Sequence, residues 1–209
     1  MPPHILFQDE ALLVVCKPAG LAAVPGLGEH LHDSLALRLQ AVASDALTVH
    51  RLDMATSGLL VFARGKAVQR VLSHAFAQRA VHKRYVAVVS GLVRLDEGEI
   101  DLPLMADWPR RPRQKVDHEH GKPSFTRYRV TARDALRGCS RVELEPVTGR
   151  SHQLRVHLCS QGHPILGDAL YAPPDVVAGA HRLMLHAQSL RFAHPMSGQL
   201  LSFENPAPF

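Results

Sequence analysis

The chain has 209 residues, 46% of them hydrophobic, with a formal net charge of +5 that favours a polyanionic partner without requiring one. This length can bury a substantial core, and it is read as a single domain over residues 1–209. Three scattered cysteines without a C-x-x-C pair (Cys16, Cys139, Cys159) suggest neither a disulfide framework nor a zinc knuckle; with no membrane-length apolar run and no signal-like start, a soluble cytoplasmic protein without a membrane partner is expected.

Residues 5–7 and 11–16 read as short strands separated by Gln8-Asp9-Glu10, with a turn at Lys17-Pro18-Ala19-Gly20. Pro25, Gly26 and Gly28 mark a loop over 21–32, after which Asp33 or Ser34 caps a helix carrying Leu35, Leu37, Leu39 and Val42. An apolar stretch ending at Val49 and another over 58–63 read as strands, which leaves residues 50–57 as the loop between two buried elements. Val68, Val71, Leu72, Ala75 and Phe76 recur at the spacing of an amphipathic helix. The β-branched run 83–91 is a strand ended by Gly91, with Tyr85 near its start. Residues 125–131 and 140–147 alternate as strands around a turn over 133–138, in an antiparallel or mixed sheet. Leu154, His157 and Leu158 share a face of a helix stopped by Gly162 and Pro164, and residues 183–192 with 199–203 form a terminal hairpin.

Asp53 lies in the 50–57 loop two residues from Arg51, beside the hydroxyls of Thr56 and Ser57 and the permissive backbone of Gly58. On spacing alone the plainer explanation is the stronger: Asp53 shapes a turn by accepting from the Thr56 or Ser57 amide, Tyr85 packs its ring, and Arg155 decorates a helix surface. The densest basic segment, residues 107–115, reads as an exposed loop, and its Arg110, Arg111, Arg113 and Lys115 suit either phosphate binding or simple solvation. His118-Glu119-His120 lacks a further clustered ligand, and no nucleotide-binding glycine motif occurs, so neither a metal nor a cofactor is expected.

Three stretches in order shift that balance. His50-Arg51-Leu52-Asp53 with Thr56-Ser57-Gly58, Lys83-Arg84-Tyr85-Val86-Ala87, and Gly149-Arg150-Ser151-His152-Gln153-Leu154-Arg155 followed by Gly162-His163-Pro164-Ile165-Leu166-Gly167-Asp168 resemble the RluA-type pseudouridine synthases. Asp107-Trp108-Pro109 and Gly121-Lys122-Pro123 look like the RluA subgroup. The resemblance implies an α+β catalytic fold with a curved, mixed, mainly antiparallel sheet flanked by helices and loops, and no N-terminal accessory RNA-binding domain. It implies isomerisation of uridine in structured RNA, in a tRNA anticodon stem-loop and a 23S rRNA hairpin, without an obligate protein partner. Asp53 would act as nucleophile or ion stabiliser, at ribose C1′, at uracil C6 or on a ribose proton. Arg155 would partner Asp53, Tyr85 would stack on uracil and help remove the C5 proton, Leu154 would form an apolar wall, and Arg51 would fill the space of an extruded base. A single-substrate rRNA enzyme and a non-catalytic RNA-binding module are the alternatives. A zinc deaminase would need ligands that this sequence lacks.

Overall fold

In the computed structural model, which describes residues 2–26 and 33–209, the apolar runs identified above become neighbouring strands of the first of two units. Gly28 and the end of the expected 21–32 loop lie outside the described residues. The first unit comprises Met1–Lys83 and Ala187–Pro208, the second Arg84–His186 with Phe209.

In the first unit, β1 (His4–Gln8), β2 (Leu12–Lys17) and β4 (Ser57–Arg64) lie side by side and antiparallel, and β3 (Ala46–Thr48) pairs with the far end of β4. β11 (Leu185–Ala193) follows β4 in strand order and also pairs antiparallel with β12 (Leu200–Glu204), which is the expected terminal hairpin. Every residue of β4 from Leu59 to Ala63 is fully buried, so this strand is apolar on both faces rather than alternating. Leu12, Val14, Leu59, Val61 and Ala63 form one face of a core with Leu72, Val81, Leu190 and Phe192. The helix α2 (Lys66–Ala77) closes that face with Val68, Leu72, Ala75 and Phe76, whereas Val71, which the same periodicity singles out, is exposed. Each fully buried Leu, Val or Phe of such a core contributes ~1.5–3 kcal/mol. The short helix α1 (Leu35–Gln40) is capped by Ser34, whose hydroxyl accepts from the Leu37 amide, while the Asp33 carboxylate accepts from the Arg38 guanidinium instead.

The second unit is built on β5 (His82–Ser90), β10 (Cys139–Pro146), β9 (Phe125–Asp134) and β6 (Glu97–Asp101), adjacent in that order and antiparallel. Tyr85 sits opposite Leu144, which sits opposite Tyr128. The helix α3 (Gln153–Ser160) packs against β10, and a separate two-stranded hairpin, β7 (Leu104–Ala106) and β8 (Gln114–Val116), carries the basic segment. That segment is therefore not a plain loop: Asp107 is buried at the base of a 3-10 turn over Trp108–Arg110, and its amide closes the hairpin on the Arg113 carbonyl. A short helix, α4 (Pro174–Ala178), completes the unit.

The architecture is α+β, a mainly antiparallel sheet with few helices, as expected. Among the described residues, no helix is long and apolar enough to cross a membrane.

Candidate active site

The loop that carries Asp53 is fixed by its main chain at both ends. The Thr56 amide donates to the Asp53 carbonyl at 3.1 Å, which closes a turn around the half-buried carboxylate. One residue on, the Met54 carbonyl accepts from the Gly20 amide at 2.9 Å and from the Lys17 ammonium at 2.9 Å. Lys17 is wholly buried, and its ammonium also donates to the carbonyls of Pro18 and Leu21, so an unfavourable burial is offset by three charge-assisted bonds. The Lys-Pro-Ala-Gly turn and the Asp53 loop are thus one tied structure. At the loop's start, His50 accepts the Val61 amide at 3.1 Å on Nε2 and stacks on Phe76 with centroids 4.2 Å apart. Burial, helped by the nearby Lys83 ammonium, drives the His50 pKa down to about 3, so the ring stays neutral with its proton on Nδ1. Burial also lowers the pKa of Lys83 itself.

At the loop's end, Gly58 has φ +115°, and a Cβ there would stand 2.3 Å from the Ala187 carbonyl oxygen. Only glycine permits β4 to approach β11 so closely. Arg51 and Met54 are exposed on this loop, while Leu52, Thr56 and Ser57 are buried.

In the second unit, Arg155 is not the surface residue that helical spacing suggests. Its side chain is 4% exposed, and its Nε and Nη2 donate to both carboxylate oxygens of Asp168 at 2.8 and 2.6 Å. Asp168, 1% exposed, also accepts the Leu170 and Tyr171 amides, so its loop is organised around the same carboxylate. The preceding Gly167 has φ +73°, and a Cβ would overlap the Arg182 carbonyl oxygen at 1.9 Å. The Gly-Asp pair of the third motif thus serves to bring a carboxylate to the arginine fork. Sequence reasoning assigns Asp168 no role; the signal is the Gly-Asp itself.

The helix start is pinned by Gln153, whose amide group donates to the Phe125 carbonyl and the Thr126 hydroxyl and accepts from the Thr148 hydroxyl and the Arg150 amide. His157, lowered in pKa chiefly by burial, spans from Thr126 to the Leu102 carbonyl at 3.0 and 3.1 Å. Leu154 is buried next to Arg155, and Tyr85 is half-buried in β5. Each predicted cation of the hairpin has a neighbour of its own: Arg110 pairs with Asp107 at 2.7 Å, Arg111 stacks on Trp108 at 3.4 Å, Arg113 lies over Tyr171 at 5.3 Å, and Lys115 pairs with Asp117 at 2.8 Å. A separate cavity of about 210 Å³ lies among Ile100, Tyr128, Val142 and Leu158, and none of the predicted site residues lines it.

The family model described as RNA pseudouridylate synthase matches residues 11–160. Similar curated proteins include the "Dual-specificity RNA pseudouridine synthase RluA" of Yersinia pestis, 51% identical over 98% of this chain and 99% of the relative. The proteins of the same name from Escherichia coli K12 and Vibrio cholerae are 51% and 48% identical over 98% of this chain, covering 93% and 83% of their own lengths. Among solved structures, human RNA Pseudouridylate Synthase Domain Containing 1 superposes with a TM-score of 0.82 at 30% identity, over 99% of this chain and 84% of that one. Human RNA Pseudouridylate Synthase Domain Containing 4 gives 0.78 at 26% identity, over 98% and 88%. With a family match over most of its length and relatives at half identity end to end, the chain belongs to the RluA-type RNA pseudouridine synthases, a family of isomerases.

Proposed function

We propose that Asp53, Tyr85 and Arg155 carry out the uridine isomerisation. The N1–C1′ bond of uridine breaks, uracil turns, C5 bonds to C1′, and the C5 proton leaves while N1 regains one. No group is imported and nothing is oxidised, so ionisable side chains in a shielded pocket suffice. Asp53 supplies the carboxylate, Tyr85 stacks on the base and assists loss of the C5 proton, and Arg155 supplies the fixed positive charge. Leu154 gives the pocket an apolar wall. Arg51, exposed on the same loop as Asp53, takes the space left by the extruded nucleotide.

The observation that carries this reading is that the first and third motifs hold their charged residues rigidly: a tied loop around Asp53 and a clamped guanidinium at Arg155. Such pre-organisation is what electrostatic catalysis needs. The substrates are a tRNA anticodon stem-loop and a 23S rRNA hairpin, encountered in the cytoplasm, and no obligate protein partner is required. Near-full-length identity of 51% to relatives named as dual-specificity enzymes supports this assignment. Arg110, Arg111, Arg113 and Lys115 grip the RNA backbone.

The test is to incubate the protein with each short stem-loop and map pseudouridine chemically. Product in both is the expected result; product in only one would reduce the assignment to a single-substrate enzyme, and product in neither would refute it.

A further inference from the structure

Tyr171 belongs to none of the motifs above, yet several parts of the second unit converge on it. Its ring lies near two guanidiniums, with Arg113 of the basic hairpin 5.3 Å and Arg155 of α3 5.1 Å from the centroid. Its hydroxyl accepts the Gln114 amide of β8 at 2.8 Å and lies 2.6 Å from His152 Nδ1. With one donor and two acceptor positions, the hydroxyl keeps both bonds whichever tautomer His152 adopts. The Tyr171 amide donates to Asp168 Oδ1, the same oxygen that receives Arg155 Nη2. Its carbonyl accepts from the Cys159 thiol near the end of α3 at 3.4 Å.

His152 is itself unusual. It precedes α3 with φ 54°, a left-handed conformation uncommon outside glycine, and its ring meets Tyr171 edge-on at 5.6 Å. A residue in that region persists where its surroundings hold it, and the bond to Tyr171 is one such restraint.

We propose that Tyr171 is a positioning residue that locks the basic hairpin to Arg155, so that RNA engaging the hairpin and alignment of the arginine are coupled. The inference rests on the reading of Arg155 and the hairpin given under Proposed function. Hairpin, helix start and Asp168 loop all meet at this one side chain and its backbone. A shift of the hairpin under an RNA phosphate pulls on Gln114, and through the hydroxyl on His152 at the head of the helix that bears Arg155. The two guanidiniums meanwhile share one ring, which restrains their separation.

Tyr171→Phe keeps the ring beside the arginines and deletes the hydroxyl bonds. In the full chain, with a tRNA anticodon stem-loop as substrate, we expect unchanged RNA affinity and a melting temperature lowered by no more than a few degrees. The single-turnover rate at saturating RNA should fall on the order of tenfold, the scale of one lost hydrogen bond's free energy. In an Arg113→Gln background the fold-loss from the same change should differ, because the ring contact and the hydroxyl bond restrain the same hairpin. His152→Ala, which removes the imidazole partner of the hydroxyl and leaves the Tyr171 ring beside the arginines, should reproduce the rate defect and serves if Tyr171→Phe folds poorly. A wild-type rate in a folded variant, or an identical fold-loss in both backgrounds, would overturn the coupling. If Asp53→Asn also abolishes product, only the role of Tyr171 has failed; if Asp53→Asn remains active, the underlying assignment of the site has failed.

Discussion

Both carboxylate oxygens of Asp168 are engaged by the Nε–Nη2 edge of Arg155, at 2.8 and 2.6 Å, with the two side chains 1% and 4% exposed. A pair so placed is weak as a stabiliser against an apolar substitute, but breaking it strands a buried charge, at a cost of ~3–5 kcal/mol. Asp168→Ala should therefore lower unfolding free energy by about 3 kcal/mol or more in urea titrations. Arg155→Lys keeps the charge and loses the fork, so it should slow single-turnover conversion on the order of a hundredfold while RNA affinity changes little. A loss under about 1 kcal/mol for Asp168→Ala would show that the arginine is satisfied without it.

Tyr85→Phe separates two roles. Stacking on uracil needs only the ring, whereas proton transfer needs the hydroxyl. We expect RNA affinity to stay near wild type and the single-turnover rate to fall at least about tenfold, roughly 1.4 kcal/mol in the barrier. An unchanged rate would assign Tyr85 to packing alone.

The pH dependence of stability has a definite sign. Unfolded His50 takes a proton below its ordinary pKa of 6.5, while the folded ring resists protonation until about 3. The folded state is thus disfavoured as pH falls through that window, by up to about 1.4 kcal/mol per pH unit from this group. His157, also lowered, adds to the same trend. Urea unfolding between about pH 7 and pH 5 should show stability falling with acid, and His50→Gln should flatten the slope. A slope identical in the variant would mean that His50 titrates normally.

The four hairpin cations should not contribute equally to RNA binding. Arg110 and Lys115 already face Asp107 and Asp117, and the hydrogen bond to Asp117 raises the Lys115 pKa. Arg111 and Arg113 rest on aromatic rings, with Trp108 61% exposed. Each phosphate left unneutralised should reduce the slope of log affinity against log salt by ~0.7–0.9. Removing Arg111 and Arg113 should therefore flatten it more than removing Arg110 and Lys115. Equal affinity and slope when all four charges are removed would refute the assignment.

The elements legible in the sequence are those whose burial follows a simple pattern. The α2 face of Val68, Leu72, Ala75 and Phe76 and the unbroken apolar strand β4 meet the same core that their patterns imply. β6 escapes such a reading because Glu97, Glu99 and Asp101 alternate with only Ile100 fully buried, and because Gly98 is there to admit Tyr128, whose hydroxyl would stand 2.6 Å from a Cβ. The β7–β8 hairpin has three-residue strands around a Pro- and Arg-rich tip, too short for any period. Motif resemblance singles out Asp53, Tyr85 and Arg155, but not what holds them. Hydropathy gives no hint that Arg155 is buried, since its matching charge lies 13 residues away. The neutral state of His50 and the hub at Tyr171 likewise depend on neighbours distant in the chain.

The chemistry is assigned above all to the Asp53 carboxylate. Asp53→Asn preserves the size of the side chain, and the turn around it is closed by the main chain, so the loop should keep its form. Pseudouridine formation would be followed under single-turnover conditions in the tRNA and rRNA stem-loops, with RNA affinity measured alongside. The predicted result is no product from the variant, with affinity near wild type for both RNAs. Turnover near the wild-type rate would contradict the assignment.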